Sequence, residues 1–141
     1  MKFTWNDSYS VNIKEIDDQH KNFFKIANKL DDLLKNYSDK DEQKLVIIFD
    51  ELLNYALYHL LAEEEYFIKC RYADAEKHTH QHNVYRDKMK FYREKIRKSK
   101  PNKADLGKEV HRFAVQWLAG HILKSDKKYV PCLTKCLSTE K

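Results

Sequence analysis

Residues 45–67 read LVIIFDELLNYALYHLLAEEEYF, and a single stripe through them, Leu45, Phe49, Leu52, Ala56, His59, Glu63 and Tyr66, decides the fold class. Residues recurring at alternating steps of four and three lie on one face of an α-helix, the face that packs into a core. The core face of this helix, expected over about 41–69, therefore contains a histidine and a carboxylate one turn apart.

The same periodicity appears in three other stretches. A helix over about 17–37 carries Ile16, His20, Phe23, Ala27, Leu30 and Leu34 on its stripe. Ser38-Asp39-Lys40-Asp41 breaks it, with Ser38 and Asp41 spaced as a capping box. A third helix over about 74–99 stripes through Ala75, His78, His82, Tyr85, Met89, Tyr92 and Ile96 and is expected to end before Pro101. A fourth, over about 103–129, carries Leu106, Val110, Phe113, Trp117 and His121, with Pro131 expected to stop it and a short extra turn after it. Residues 1–16 read as an extended arm anchored by Trp5.

Composition agrees with a chain made almost wholly of helix. Gly107, Gly120, Pro101 and Pro131 are its only glycines and prolines, which excludes sandwiches, barrels and glycine-rich phosphate loops. With 42% hydrophobic and 35% charged residues the expectation is one all-α domain over 1–141, an up-down-up-down four-helix bundle with an N-terminal extended arm. The net charge of +5 is concentrated between Arg86 and Lys103, where nine cations meet two acids. That run reads as the solvated face and C-terminal turn of a helix, so no nucleic-acid partner is expected. The longest stretches without Asp, Glu, Lys or Arg, Leu52–Ala62 and Phe113–Leu123, are too short to span a membrane.

In an antiparallel bundle the start of the first helix, the end of the second, the start of the third and the end of the fourth share one end. His20, His59, Glu63, His78, His82, His121 and Asp126 occupy those four places. His59-x-x-x-Glu63 and His78-x-x-x-His82 each put two ligand groups one turn apart on a single face. His121-x-x-x-x-Asp126 does not, because five residues turn a regular helix by about 500°, leaving the side chains roughly 140° apart. Either Asp126 reaches round or the helix is distorted there. Five imidazoles and two carboxylates exceed a tetrahedral zinc site and suit two divalent ions bridged by both carboxylates. Six ligands per ion, with one bridging oxygen, leave a single open position. His80 points away from its neighbours, His111 lies about three turns from His121, and Glu64 and Glu65 read as solvated.

These residues resemble the hemerythrin family, and within it the single-domain bacterial hemerythrins. The likeness rests on Trp5, Tyr9-Ser10-Val11, Ile16-Asp17-Asp18-Gln19-His20-Lys21, His59-Leu-Leu-Ala-Glu63-Glu64, His78-x-x-x-His82 and Trp117-Leu118-Ala-Gly-His121-Ile122-x-x-x-Asp126. The resemblance implies two iron ions joined by an oxo or hydroxo bridge. One is held by His78, His82 and His121, the other by His20 and His59, with Glu63 and Asp126 bridging. It implies reversible dioxygen binding at the open position of the second ion, for carriage, storage or delivery, and not an enzyme. Phe23, Leu60, Trp117, Leu118 and Ile122 are the matching pocket walls. Leu60 stands where the family usually has phenylalanine, and Ala73 where it usually has proline.

Rival functions at such a site are handling of nitric oxide or peroxide and oxidase chemistry. The ferritin-like oxidases carry Glu-x-x-His motifs, which this chain lacks. An oxygen-using enzyme is a candidate recipient, and a monomer is expected. Cys70, Cys132 and Cys136 form no framework spacing, and the first residues hold no apolar signal core, so a reducing cytoplasm is the expected compartment. Cys132 and Cys136, one turn apart, read as apolar fillers or a redox pair.

Overall fold

In the computed structural model, which describes residues 2–98 and 103–138, the helices are α1 (Lys14–Lys35), α2 (Glu42–Lys69), α3 (Ala75–Lys98), α4 (Lys103–His121) and α5 (Lys127–Ser138). A π-helical segment, Ile122–Asp126, joins the last two. No strand occurs among the described residues. α1 packs against α2 and α4, and α3 against the same two, as in an up-down-up-down bundle. Gly107 lets α4 approach α1 closely: a Cβ there would meet Leu34 Cδ2 at 2.7 Å. The expected stop of the third helix at Pro101, and the charged residue Lys100, lie outside the described residues.

The helix ends follow local chemistry. Before α2, the backbone N–H of Ser38 donates to the Asp41 carboxylate (3.1 Å), the contact expected of that pair. α2 closes with the Tyr72 N–H bonded to Phe67 O and the Arg71 N–H to Ile68 O, which puts Arg71 in the left-handed region (φ 53°), where glycine is usual. α1 begins three residues earlier than its stripe suggests, at Lys14, because the chain turns at Asn12 (φ 60°) and buries Ile13 as well as Ile16.

The arm is extended apart from a 3-10 turn at Asp7–Tyr9. Phe3 exchanges two hydrogen bonds with the Asn28 side chain and stacks on Phe24, so it anchors the arm more firmly than Trp5, which is half-buried. Asp17 pins the end of the arm by accepting from the Ser10 hydroxyl (2.6 Å) and the Val11 N–H (2.8 Å).

Two expectations fail at the C-terminus. Pro131 does not stop the fourth helix; α5 continues through it to Ser138. A proline inside a helix costs about 3 kcal/mol. Burial of Tyr129 and Leu133 and a disulfide between Cys136 and Cys70 hold the segment helical. That disulfide corrects the reading of the cysteines: Cys136 pairs with Cys70, and Cys132 is the free thiol. Cys70 caps the C-terminus of α2, and the continued helix packs against that end through Phe67, Tyr129 and Leu133.

The core has two parts. The larger fills the bundle and includes Phe23, Leu60, Tyr85, Leu118 and Ile122. The smaller joins Val11, Ile13 and Ile16 to Phe67, Tyr129 and Leu133, so arm and α5 together cap one end. The segment Asp39–Lys69 is long and apolar enough by composition to cross a membrane, a test that the core helix of a bundle also passes. Its stripe is spent on the bundle core, where Phe67 takes the buried place expected of Tyr66.

Candidate metal centre

All seven expected ligand residues lie buried in one slab between the two apolar clusters. Donor atoms of Glu63, His78, His82, His121 and Asp126 fall within 4.8 Å of one another, as do those of His20, His59 and Glu63. Each group could hold a metal ion.

Every imidazole turns its Nε2 inward. Asp126 faces both groups, with Oδ1 2.9 Å from His78 Nε2 and 3.1 Å from His121 Nε2, and Oδ2 3.2 Å from His20 Nε2. Glu63 Oε1 lies 3.4 Å from His59 Nε2 and 3.3 Å from His82 Nε2. His78 and His121 bring their Nε2 atoms to 2.8 Å. Asp126 arrives by distortion of the helix and not by reaching: a π turn closes residue i on i+5 and so carries Asp126 round to the face of His121.

Three residues that the sequence reading passed over hold the ligands in place. Gln19 is buried beside His20, and its Oε1 accepts from His59 Nδ1 (2.8 Å). Glu64, expected in solvent, is half-buried and accepts from His82 Nδ1 (2.7 Å) while Arg86 grips both its oxygens (2.7 and 2.9 Å). Such outward bonds fix which nitrogen is left for a cation. The Tyr129 hydroxyl donates to Glu63 Oε2 (2.5 Å). A signal existed for two of them. His82 and Arg86 are four apart on α3, so one carboxylate opposite can serve both, and Tyr129 follows Asp126 by three, on the same face of the resumed helix.

The remaining histidines behave as expected. His80 is exposed; His111, half-buried, lines a hollow of about 600 Å³ with Phe3, Asp31 and Arg112, away from the slab. Of the pocket walls, Phe23, Leu60, Leu118 and Ile122 are buried, and Trp117 is half-buried with its ring stacked on His121 (4.3 Å between centroids). On the solvent side of His78 there is only a dent of about 20 Å³, between Tyr72, Gln81 and Ser125.

Electrostatically the slab is a set of opposed pushes. Burial and Asp126 push the Glu63 carboxyl up, yet His59 and His82 hold it below the usual carboxylate range. Burial likewise works against ionised Asp126, and the neighbouring imidazoles of His121, His20 and His78 hold its pKa down. Burial lowers His59 against the pull of Glu63, whereas in His82 the pull of Glu63 and Glu64 outweighs burial and raises the pKa to about 9.

A pH dependence follows for chelator-stripped protein. A histidine whose pKa rises on folding contributes fully below its unfolded value of about 6.5 and loses that contribution as pH climbs through the folded value. His59, shifted downward, is neutral in both states above about 6.5 and adds nothing there. Stability of the stripped protein is therefore expected to fall by up to ~3 kcal/mol between about pH 6.5 and 9, from the His82 shift. Loaded protein should not show this loss, since a metal ligand must already be neutral. Urea titrations across that range check both statements, and a flat profile for stripped protein would contradict the first.

Comparison with known proteins bears on the same residues. The family model "Hemerythrin HHE cation binding domain" matches residues 11–133. A bacteriohemerythrin of Clostridium acetobutylicum is 33% identical over 130 residues, covering 91% of this chain and 98% of its own. A hemerythrin-like protein of Naegleria gruberi is 32% identical over 127 residues, 90% of each chain. A wild-type hemerythrin crystal structure superposes with a TM-score of 0.83 at 29% identity, covering 94% of this chain and 98% of that one. The matched span runs across every donor from His20 to Asp126, and by sequence and by fold alike the chain belongs to the hemerythrin family.

Proposed function

We propose that this protein binds dioxygen reversibly at a pair of iron ions. The observation that carries the reading is the state of the buried donors. His20 Nε2, His59 Nε2, His82 Nε2, Glu63 Oε1 and both Asp126 oxygens have no hydrogen-bond partner among the described residues. Polar atoms buried in that state are costly unless something bonds to them, and an imidazole-carboxylate set of this size fits iron.

His78, His82 and His121 would hold one ion and His20 and His59 the other, with Glu63 and Asp126 shared. Iron held by these residues would supply electrons that dioxygen can draw on reversibly. The chain does the rest. Gln19 and Glu64 keep His59 and His82 in their ligating tautomers, and Tyr129 fixes the swing of Glu63. Phe23, Leu60, Leu118 and Ile122 are buried and apolar, so they offer water and a charged reductant no partner beside the donors, which favours reversible binding. Carriage or delivery to an oxygen-using enzyme is the role that such a site supports.

Anaerobic loading with ferrous iron, metal counting, and then cycles of air and argon test the reading. About two irons per chain are expected, with a colour that appears in air, fades under argon and returns. Failure to take up iron would overturn the site assignment; irreversible oxidation on first exposure to air would replace carriage with oxidase or scavenging chemistry.

A further inference from the structure

Tyr85 is fully buried, and its hydroxyl has no hydrogen-bond partner among the described residues. A phenyl ring would fill the same space without stranding a polar atom, so the hydroxyl needs a reason to be there.

Its surroundings supply one. Tyr85 follows His82 by three residues and occupies the layer next to the donor slab. Its ring lies between Phe23 (5.9 Å between centroids), one turn after His20, and Trp117 (4.4 Å), which stacks on His121, and it is also stacked on Phe113 (5.5 Å). Side chains on a helix lean toward its N-terminus, and the N-terminus of α3 is the metal end. Tyr85 therefore stands with two of the apolar pocket walls and leans toward the ligands. Burial pushes its pKa far up, so the group keeps its proton and can only donate or accept a hydrogen bond.

We propose that the Tyr85 hydroxyl is the hydrogen-bond donor of the ligand pocket, retaining a small exogenous ligand that carries negative charge, whether dioxygen drawing electron density from iron or an anion such as azide. This rests on the di-iron reading above. With Phe23, Leu60, Leu118 and Ile122 apolar, a hydroxyl donor in a dry pocket discriminates ligands that accept a hydrogen bond from those that do not.

The test compares iron-loaded wild type with Tyr85→Phe, and with Tyr92→Phe, a buried tyrosine deeper in the bundle that bonds Glu109. Stopped-flow dissociation of dioxygen, and of azide from oxidised protein, is expected to be about tenfold faster in Tyr85→Phe, as for loss of one hydrogen bond to a charged acceptor. Tyr92→Phe should match wild type. A second readout needs no metal: stripped Tyr85→Phe should melt several degrees higher than stripped wild type, because it no longer buries an unbonded hydroxyl. Unchanged dissociation of both ligands in Tyr85→Phe, or a lower melting temperature when stripped, overturns the proposal while leaving the di-iron reading intact. A wild type that takes up no iron overturns both.

Discussion

Replacing Asp126 with alanine is expected to lower the iron content from about two ions per chain to one or fewer and to abolish the reversible colour. Among the described residues, no other side chain addresses the two donor groups through separate atoms. Its Oδ1 faces His78 and His121, and its Oδ2 faces His20. Loss of this carboxylate would remove a ligand from each ion at once and leave His78 and His121 of one group and His20 of the other without the anion that faces them. Glu63 presents a single oxygen to both groups while Tyr129 engages the other, so Glu63→Ala should be severe as well. Asp126→Asn separates charge from shape, since the amide keeps the volume and one oxygen but not the negative charge. Metal analysis after anaerobic loading checks the series; two ions retained in Asp126→Ala would mean that the aspartate does not ligate.

Opening the Cys70–Cys136 disulfide should produce the second large effect. The bond joins residues 66 apart, and a closed loop of that length restricts the unfolded chain by ~4 kcal/mol in the chain-entropy model, with measured values commonly about 2–4. Cys70→Ser or Cys136→Ser is therefore expected to cost about 2–4 kcal/mol in urea unfolding, and dithiothreitol should reproduce the loss in wild type. Cys132→Ser should cost far less. Thiol titration of unreduced, denatured protein should find the Cys132 thiol alone. Three reactive thiols, with stability indifferent to reductant, would remove the tether from the account. The cost reaches the site as well, because α5 carries Tyr129 to Glu63 and Leu133 into the cap. Reduced protein should consequently oxidise faster in air.

The four stripes and the end of the bundle at which the ligands meet were legible because core packing imposes the 3.6 period, and His20, His59, His78 and His121 are in phase with it. From a spacing of five that no regular helix satisfies, the sequence could say that Asp126 reaches round or the helix distorts, but not which. Less legible were groups whose role depends on another helix. Glu64 looks like any surface glutamate until α3 brings His82 and Arg86 against it, and Gln19 is silent without His59. The continuation through Pro131 was hidden for a different reason. Local propensity argues for a stop there, and only burial of Tyr129 and Leu133 and the link to Cys70 outweigh it. Cysteine pairing has the same character, since spacing along the chain says nothing of which helix a thiol will cross.

The π segment sets the register of everything that follows it. It amounts to one inserted residue, and every side chain after it is rotated by about 100° from where an unbroken helix would carry it. Tyr129 meets Glu63, Leu133 enters the cap and Cys136 reaches Cys70 in that shifted phase. Removing one residue between His121 and Asp126 would give that pair the regular spacing of four and let an unbroken helix keep all three contacts in phase, whereas straightening the segment at its present length would break all three.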